Sequence, residues 1–551
     1  MEAKGKKKIR WAVFLPPWLL IVAILVLNLT NYDMFLKVMN LVINWILTNF
    51  SWLFNVVTFV ALILLVITYF SPIRNIRFGG SKTKPMMGYA NYVWIVLCTI
   101  MAAGILLWAC AEPMYHLYAP PANVAGGPGS TEAVSWAMQS VLLEWTFSPM
   151  AIYGLPALLF AFVFYNMKQP FAISSMLVPV AGSKRSQKMT PLVDGICLFA
   201  LCAGMAASLG SGILLLSGGV ESLSNGKIPS STQMWIISGG IIIIAFIASA
   251  ASGIMNGIRI LSTINSRIYM IMGAFVFLAG PTAYILDLLT ESTGGLFGNF
   301  IELSLFTSAA TGDGWARSWP IFYWCCYLAW MPVTSVFLGR ISKGFSVKET
   351  IEVVFIIPAL FSVLWIGIFS GSAVYYELAG KGINETMVEK GTAAATYAVL
   401  GELPLSIIMI PLFLLIVFVS FVTAADSNTN AMSGLCSEGL TADDAESPMI
   451  LKFIWGGTIG ALSIIMLIAF DVEGLKQLSN LGGFPAVFLM ILFIVAWIKV
   501  MKDPKKYDTF KEDYDINGKP IPSKRLLSKE EEKHQKENKG FFKKKQVENK
   551  L

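Results

Sequence analysis

The stretch GWARSWPIFYWCCYLAWMPVTS, residues Gly314–Ser335, has the composition of a membrane span and an unusual density of rings. Its length suits the roughly 20 residues that cross a bilayer. Helical spacing puts Tyr323, Tyr327, Trp330 and Thr334 at i, i+4, i+7 and i+11 on one face. Pro332 interrupts the run. A helix breaker survives in lipid only where protein or a water-filled cavity satisfies the freed backbone, so the stretch reads as part of a pathway and not as an anchor.

Eleven further apolar runs surround it. The twelve are centred in 11–30, 50–70, 90–111, 138–165, 193–217, 233–252, 268–288, 319–339, 350–373, 403–425, 450–470 and 479–499. The chain is 551 residues long, 56% hydrophobic and 14% charged, with a mean hydropathy of +0.66. Residues 1–10 carry a net +4 and residues 502–551 a net +5, which leaves 11–501 at −2 against the overall +7. That middle is only about 9% charged, a density suited to lipid. A soluble enzyme is excluded, and so is a nucleic-acid binder, because the basic excess is confined to the ends. The first run is long and lacks a small-residue cleavage site, so it reads as a span and not as a signal peptide.

Every second loop is basic. Arg74, Arg77, Lys82 and Lys84, then Lys168, Lys184, Arg185 and Lys188, then Arg340, Lys343 and Lys348 alternate with loops such as 112–137 that are nearly free of Lys and Arg. This predicts a multi-pass protein of the cell (plasma) membrane with both termini in the cytoplasm. A second weak point, Met101-Ala-Ala-Gly104, lies five spans before Pro332. Weak points in corresponding helices of two five-helix halves predict inverted repeats with a site at the midplane between them.

The usual reactive groups are scarce. The seven cysteines form no CxxC pair, and two histidines, His116 and His534, cannot build a triad or a histidine metal site. Rings are what the midplane offers: Tyr323, Tyr327 and Trp330, then Trp145 and Tyr153 about two turns apart, and Tyr115. Converging ring faces make a cage for a cation too bulky to hydrogen-bond, above all a quaternary ammonium.

Three motifs carry a family resemblance. Gly104 to Pro121 contains a WxxxEPxxHY-like run (Trp108, Glu112, Pro113, His116) ending in Pro120-Pro121, GRISKG spans Gly339–Gly344, and FVTAADS spans Phe421–Ser427. Together with the ring segment they resemble the betaine/carnitine/choline transporter family, whose corresponding motifs read ARISRG and FVTSADS. The resemblance implies an all-α polytopic membrane protein of 12 transmembrane helices, with two inverted five-helix repeats (residues 90–288 and 319–499) preceded by two extra helices (11–70). A basic N-terminus (1–10) and a charged tail (501–551) flank the 11–500 transporter domain. It also implies alternating access and a homotrimer.

Carried over residue by residue, the resemblance puts Trp145, Tyr327 and Trp330 around a trimethylammonium group, with Tyr115 and Tyr153 beside it and Ser208 near the substrate carboxylate or the ion. Cys326 and Met150 stand where many members have tryptophan. A sodium site would draw on backbone around Met101 and on Thr423, beside the buried acid candidate Asp426. However, Ala424, Leu201 and Met205 offer no oxygen where sodium-coupled members do. Asn265, flanked by Arg259 and Arg267, stands where sodium-independent exchangers carry arginine. Sodium symport, exchange and proton coupling therefore all stay open.

The expected substrate is a trimethylammonium zwitterion, glycine betaine or carnitine. Choline and glycine are the alternatives, and a channel or a membrane sensor are the competing classes. Zwitterions are favoured because no acid stands in the ring set: Glu112 reads as an outer helix end bent by Pro113, with a catalytic or proton-relay acid as the alternative, and Glu144 as half of an unidentified pair, with the balancing of a cationic substrate such as choline as the alternative. The acidic loop Thr441–Pro448 reads as solvated, and the tail as an unstructured end or a contact for anionic membrane lipid. This reading predicts that Trp330→Ala abolishes saturable betaine or carnitine uptake, measured with labelled solute in proteoliposomes.

Overall fold

A computed structural model describes residues 8–100, 104–252, 255–438 and 448–532. Among these residues the chain is helical, and strand pairing is limited to isolated bridges. We number the long helices α1 (Trp11–Thr30), α2 (Tyr32–Phe70), α3 (Tyr89–Ile100), α4 (Ile105–Tyr118), α5 (Thr131–Trp145), α6 (Phe147–Ala161), α7 (Ser183–Leu223) and α8 (Thr232–Ser252). They continue as α9 (Met255–Ala279), α10 (Thr282–Leu305), α11 (Pro320–Ile341), α12 (Ile357–Leu378), α13 (Ser406–Leu435), α14 (Met449–Phe470) and α15 (Val472–Lys502).

Among the described residues, ten helical segments are long and apolar enough to cross a membrane, or eleven if one bent pair is a single span. The expected third span is carried by α3 and α4, and its weak point at 101–103 lies outside the described residues. Two expectations need correction. The apolar window 268–288 is not one straight span: α9 stops at Ala279, and after Gly280-Pro281 the chain turns through 103° into α10. Pro281 has no N–H to continue the helix, and hydropathy does not register direction. The proline of the eleventh helix behaves oppositely, since Pro332 sits inside an unbroken α11.

Helix starts follow local chemistry. The Asn31 side chain caps α2 through the Met34 N–H, and Ser130 caps α5 through the Ala133 N–H. The centre is made by α6, α7, α11 and α15 packed on one another. The α11–α15 crossing is closest at Gly483, where an added Cβ would lie 2.4 Å from the Cys325 Cα and 2.5 Å from its carbonyl oxygen. These are backbone atoms and cannot step aside.

The basic loops gather at one end of the bundle. Buried Arg77 donates to the Gly344 carbonyl at 2.7 Å and pairs with Glu349 at 3.2 Å. The tail joins them: Arg77 also donates to the Ser523 carbonyl at 2.9 Å, and Asn166 donates to Asp508 at 2.8 Å. Residues up to 532 are therefore a strap folded over this end and not a free coil, while the Lys543–Lys545 cluster lies outside the described residues. Burial pushes the Asp508 carboxyl above its ordinary range.

Gly483→Ala should force α11 and α15 apart, an overpacking loss on the order of 1–3 kcal/mol. The expected outcome is a melting temperature several degrees lower for the detergent-solubilised protein, followed by tryptophan fluorescence.

Candidate functional site

The fourth expected span is broken in the middle. α5 ends at Trp145, Thr146 leaves the helical region (φ −110°, ψ −110°), and α6 starts at Phe147. Pro149 explains the break, because its ring collides with the carbonyl four residues earlier, that of Trp145, and it has no N–H to offer it. Thr146 Oγ1 repairs part of the ladder by donating to the Leu142 carbonyl at 2.5 Å. The break opens the positive end of a fresh helix directly after Trp145.

Four buried rings meet there. The Trp145 centroid lies 5.0 Å from Tyr323 and 6.3 Å from Tyr327, both edge to face, and Tyr153 lies 5.3 Å from Tyr327. Three of the expected cage residues, Trp145, Tyr153 and Tyr327, thus come together with Tyr323. At these separations the rings touch, so a trimethylammonium group must part them to be surrounded.

The expectation that no acid stands in this set is overturned. Glu112 is fully buried, and its Oε2 accepts from Trp145 Nε1 at 2.8 Å and from the Tyr323 hydroxyl. It is no outer helix end. Pro113 deprives the Ala109 carbonyl of its helical donor, and Ser370 Oγ of α12 supplies one at 2.6 Å, so α4 continues past the proline to Tyr118. A carboxylate on the indole N–H pushes electron density into the ring, which strengthens the face that would meet a cation.

Glu144 finds its unidentified partner in this same place. His116 Nε2 lies 3.4 Å from Glu112 Oε1 and 3.7 Å from Glu144 Oε2, and all three side chains are fully buried. One ligating atom from each lies within 4.8 Å of the others.

The remaining sequence candidates separate. Trp330 lies against Gly204 of α7, where an added Cβ would be 3.0 Å from its Nε1. Cys326 is half-buried, and Ser208 lies on α7 one turn before Gly212, which backs onto the Phe421 ring of α13. Tyr115 belongs to a second, outer set: its ring pairs with Trp319 at 5.3 Å and Trp108 at 6.5 Å, and its hydroxyl bonds Thr392 at 2.8 Å.

A cation already occupies that outer set. The Lys476 ammonium lies 3.8 Å from the Trp319 centroid and within 6 Å of Trp108, Tyr115 and Phe322. It also pairs at 3.0 Å with exposed Glu473. The tight hairpin at Asp471 (φ 51°) between α14 and α15 delivers it there. Sequence reasoning missed Lys476 because the last apolar run was started at 479; a lysine just inside a span is the signal that would have found it.

Of the ion-coupling candidates, Met101 lies outside the described residues. Thr423 Oγ1 donates to its own helix at the Val419 carbonyl, 2.7 Å away. Asp426 is buried and accepts from Asn430 at 3.3 Å. Asn265 donates to Ser420 Oγ at 2.8 Å, one turn from Thr423, so α9 and α13 do bring these side chains near each other. The six described cysteines are free thiols.

Comparison with known proteins agrees with this layout. The family model described as "BCCT, betaine/carnitine/choline family transporter" matches residues 12–506. An ectoine/hydroxyectoine transporter of Virgibacillus pantothenticus is 30% identical over 84% of this chain and 91% of its own. A probable glycine betaine transporter of Desulfitobacterium hafniense is 27% identical over 89% and 94%. An osmo-independent choline transporter of Acinetobacter baylyi is 28% identical over 82% and 86%. With a broken, ring-lined span at its centre and a family match along nearly its whole length, this chain belongs to the betaine/carnitine/choline transporter family.

Proposed function

We propose that the chain imports a small trimethylammonium zwitterion, glycine betaine or carnitine, by alternating access, with the basic end on the cytoplasmic side of the cell membrane. The observation that carries the reading is the convergence of Trp145, Tyr153 and Tyr327 at the break between α5 and α6. Each ring facing the head group is worth on the order of 0.5–2 kcal/mol. The first N–H groups of α6, at the positive end of its dipole, suit the carboxylate of the same molecule. Lys476 in the outer ring set supports the principle, since rings of this chain already hold an ammonium. The relatives named for glycine betaine and choline support the substrate class.

A second reading is choline, favoured by one observation. Glu144 is buried with neither carboxylate oxygen hydrogen-bonded, and it would balance a net positive charge. Competition among glycine betaine, carnitine, choline and glycine, followed by tryptophan fluorescence, separates the two. The zwitterion reading expects betaine or carnitine to displace the others, and choline as the tightest binder would overturn it.

Removing one ring sets the scale of the cage. Tyr327→Ala should weaken binding by roughly 2- to 30-fold, the equivalent of one cation–ring contact, whereas Tyr327→Phe should keep most of the affinity. Equal losses in both would mean that the hydroxyl, and not the ring face, is what binds.

The energy source is a separate matter. Thr423, Asp426 and Asn265 offer oxygens for sodium, although Thr423 spends its hydroxyl hydrogen on its own helix. Uptake into proteoliposomes with and without a sodium gradient, then with solute preloaded inside, distinguishes sodium symport from exchange. Uphill uptake without either sodium or preloading would leave the proton.

A further inference from the structure

We infer that Glu112, His116 and Glu144 are the coupling-proton site of this transporter. The inference rests on the transport reading above and assigns its energy source. Glu112 and His116 are one turn apart on the same face of α4, and Glu144 meets them from the end of α5. None of the three touches solvent. The two oxygens of Glu144 and Nδ1 of His116 have no hydrogen-bond partner, so the cluster holds fewer hydrogen-bonding protons than it has places for. Two carboxyl groups and an imidazole this close share one dry space, so a proton gained by any one of them is felt by the other two.

The other titratable and charged groups facing the cluster come from α11 and α15. Tyr323 donates its hydroxyl to Glu112. Lys476 stands across the Trp319 ring, whose centroid lies 3.8 Å from the ammonium and 4.6 Å from the His116 ring. The neighbouring α12 contributes the neutral Ser370, bonded to the Ala109 carbonyl. No charge on these neighbours balances a doubly ionised pair at contact distance, and one added proton is what reduces the excess.

The cluster is also joined to the ring set through one oxygen, which Trp145 and Tyr323 share. Glu112 Oε2 accepts from Trp145 Nε1, and the Trp145 ring is what a head group must move to enter. In the outward-open state a proton from the outer water forms an O–H bond on Glu144 or an N–H bond on His116. In the inward-open state the same bond breaks and the proton passes to the inner water, so each cycle carries one proton and one solute with no other reactant. A proton on Glu144 or His116 changes the field at the adjoining Glu112 and with it the pull of Glu112 on the Trp145 N–H, and displacement of Trp145 alters the site offered to the proton. That reciprocity is what coupling between two bound species requires.

Two measurements test the assignment. In proteoliposomes holding a pH-sensitive dye and no sodium, addition of glycine betaine should acidify the interior, and an inside-alkaline gradient should drive accumulation. In Glu144→Gln, which mimics a permanently protonated acid, accumulation should fall to the equilibrium level while counterflow of solute remains measurable. Glu144→Asp, which keeps a titratable carboxyl, should retain accumulation with a displaced pH profile, so a misfolded Gln variant would not hide the effect. Independently of any solute, infrared difference spectra of the purified protein between acid and neutral pH should contain a buried carboxyl band that Glu144→Gln removes.

A missing band, accumulation that needs sodium, or a Gln variant that accumulates solute like the parent chain would overturn the proton site. Uptake abolished by a chelator and restored by zinc would assign the cluster to a metal instead and overturn it as well. Failure of every solute to bind, with the carboxyl band present and removed by the substitution, would defeat the substrate reading and leave the proton site standing.

Discussion

Inside lipid a backbone group that loses its helical partner has no water to turn to, and at the proline of α4 a neighbouring helix makes the loss good. Pro113 frees the Ala109 carbonyl, and Ser370 of α12 takes it. One turn earlier the Leu106 carbonyl receives the Thr396 hydroxyl at 3.2 Å. Pro149 frees the Trp145 carbonyl at the α5–α6 break. These repairs tie α4 to α12 and to the short helix Ala394–Gly401, so α4 cannot shift alone without exposing a bare carbonyl. Movements that open the site must carry these pieces together, which favours rocking of packed groups of helices over bending of single ones.

The sequence made much of this legible, because hydrophobic length and helical period are local properties. The apolar runs, the basic alternation and the pairing of Tyr323 with Tyr327 on one face of α11 all follow from spacing within a single segment. What escaped the sequence was relational. Trp330 follows Tyr327 by three residues and so lies next to it on α11, yet Gly204 of α7 leaves a hollow on its side and the ring occupies it. Glu112 meets Trp145 from 33 residues away and Tyr323 from 211, distances over which periodicity says nothing. Pro149 was in plain view, but attention to the neighbouring Met150 as a missing tryptophan hid its role as the cause of the break. Pro281 fell inside an apolar window, where hydropathy averaged across the turn.

The tail shows the same limit from the other side. Its composition reads as solvated, with 15 basic and 10 acidic residues after 501. Yet Arg77 had already set a requirement that composition does not reveal. A guanidinium buried among loops needs acceptors for its fork of donors, and Gly344 and Glu349 supply only some of them. The Ser523 carbonyl and hydroxyl supply two more, at 2.9 and 3.2 Å. This buried charge ties down the strap together with the Asn166–Asp508 and Ser81–Asp513 bonds, and the strap closes over the loops that connect α2 to α3 and α11 to α12. Any motion that separates those loops pulls on it.

Towards the opposite end stand the two ring sets, and one of them is already occupied by a side chain of the protein itself. Lys476 occupies the outer rings, so a cation arriving there meets both an occupied site and a like charge. The inner rings are closed by mutual contact, Trp145 edge to face with Tyr323 and Tyr327, and Tyr153 tilted on Tyr327, contacts of the same order as those a ring makes with a cation. A quaternary ammonium can thus trade ring–ring contacts for ring–cation contacts at the inner set, whereas a small hydrated cation such as sodium must also give up its water. On the proposed reading, a cage of uncharged rings would therefore discriminate by the cost of dehydration and not by charge. Glu112, bonded to the indole N–H at the edge of the Trp145 ring, leaves the ring face free; an acid on the face would reward the hydrated ion equally.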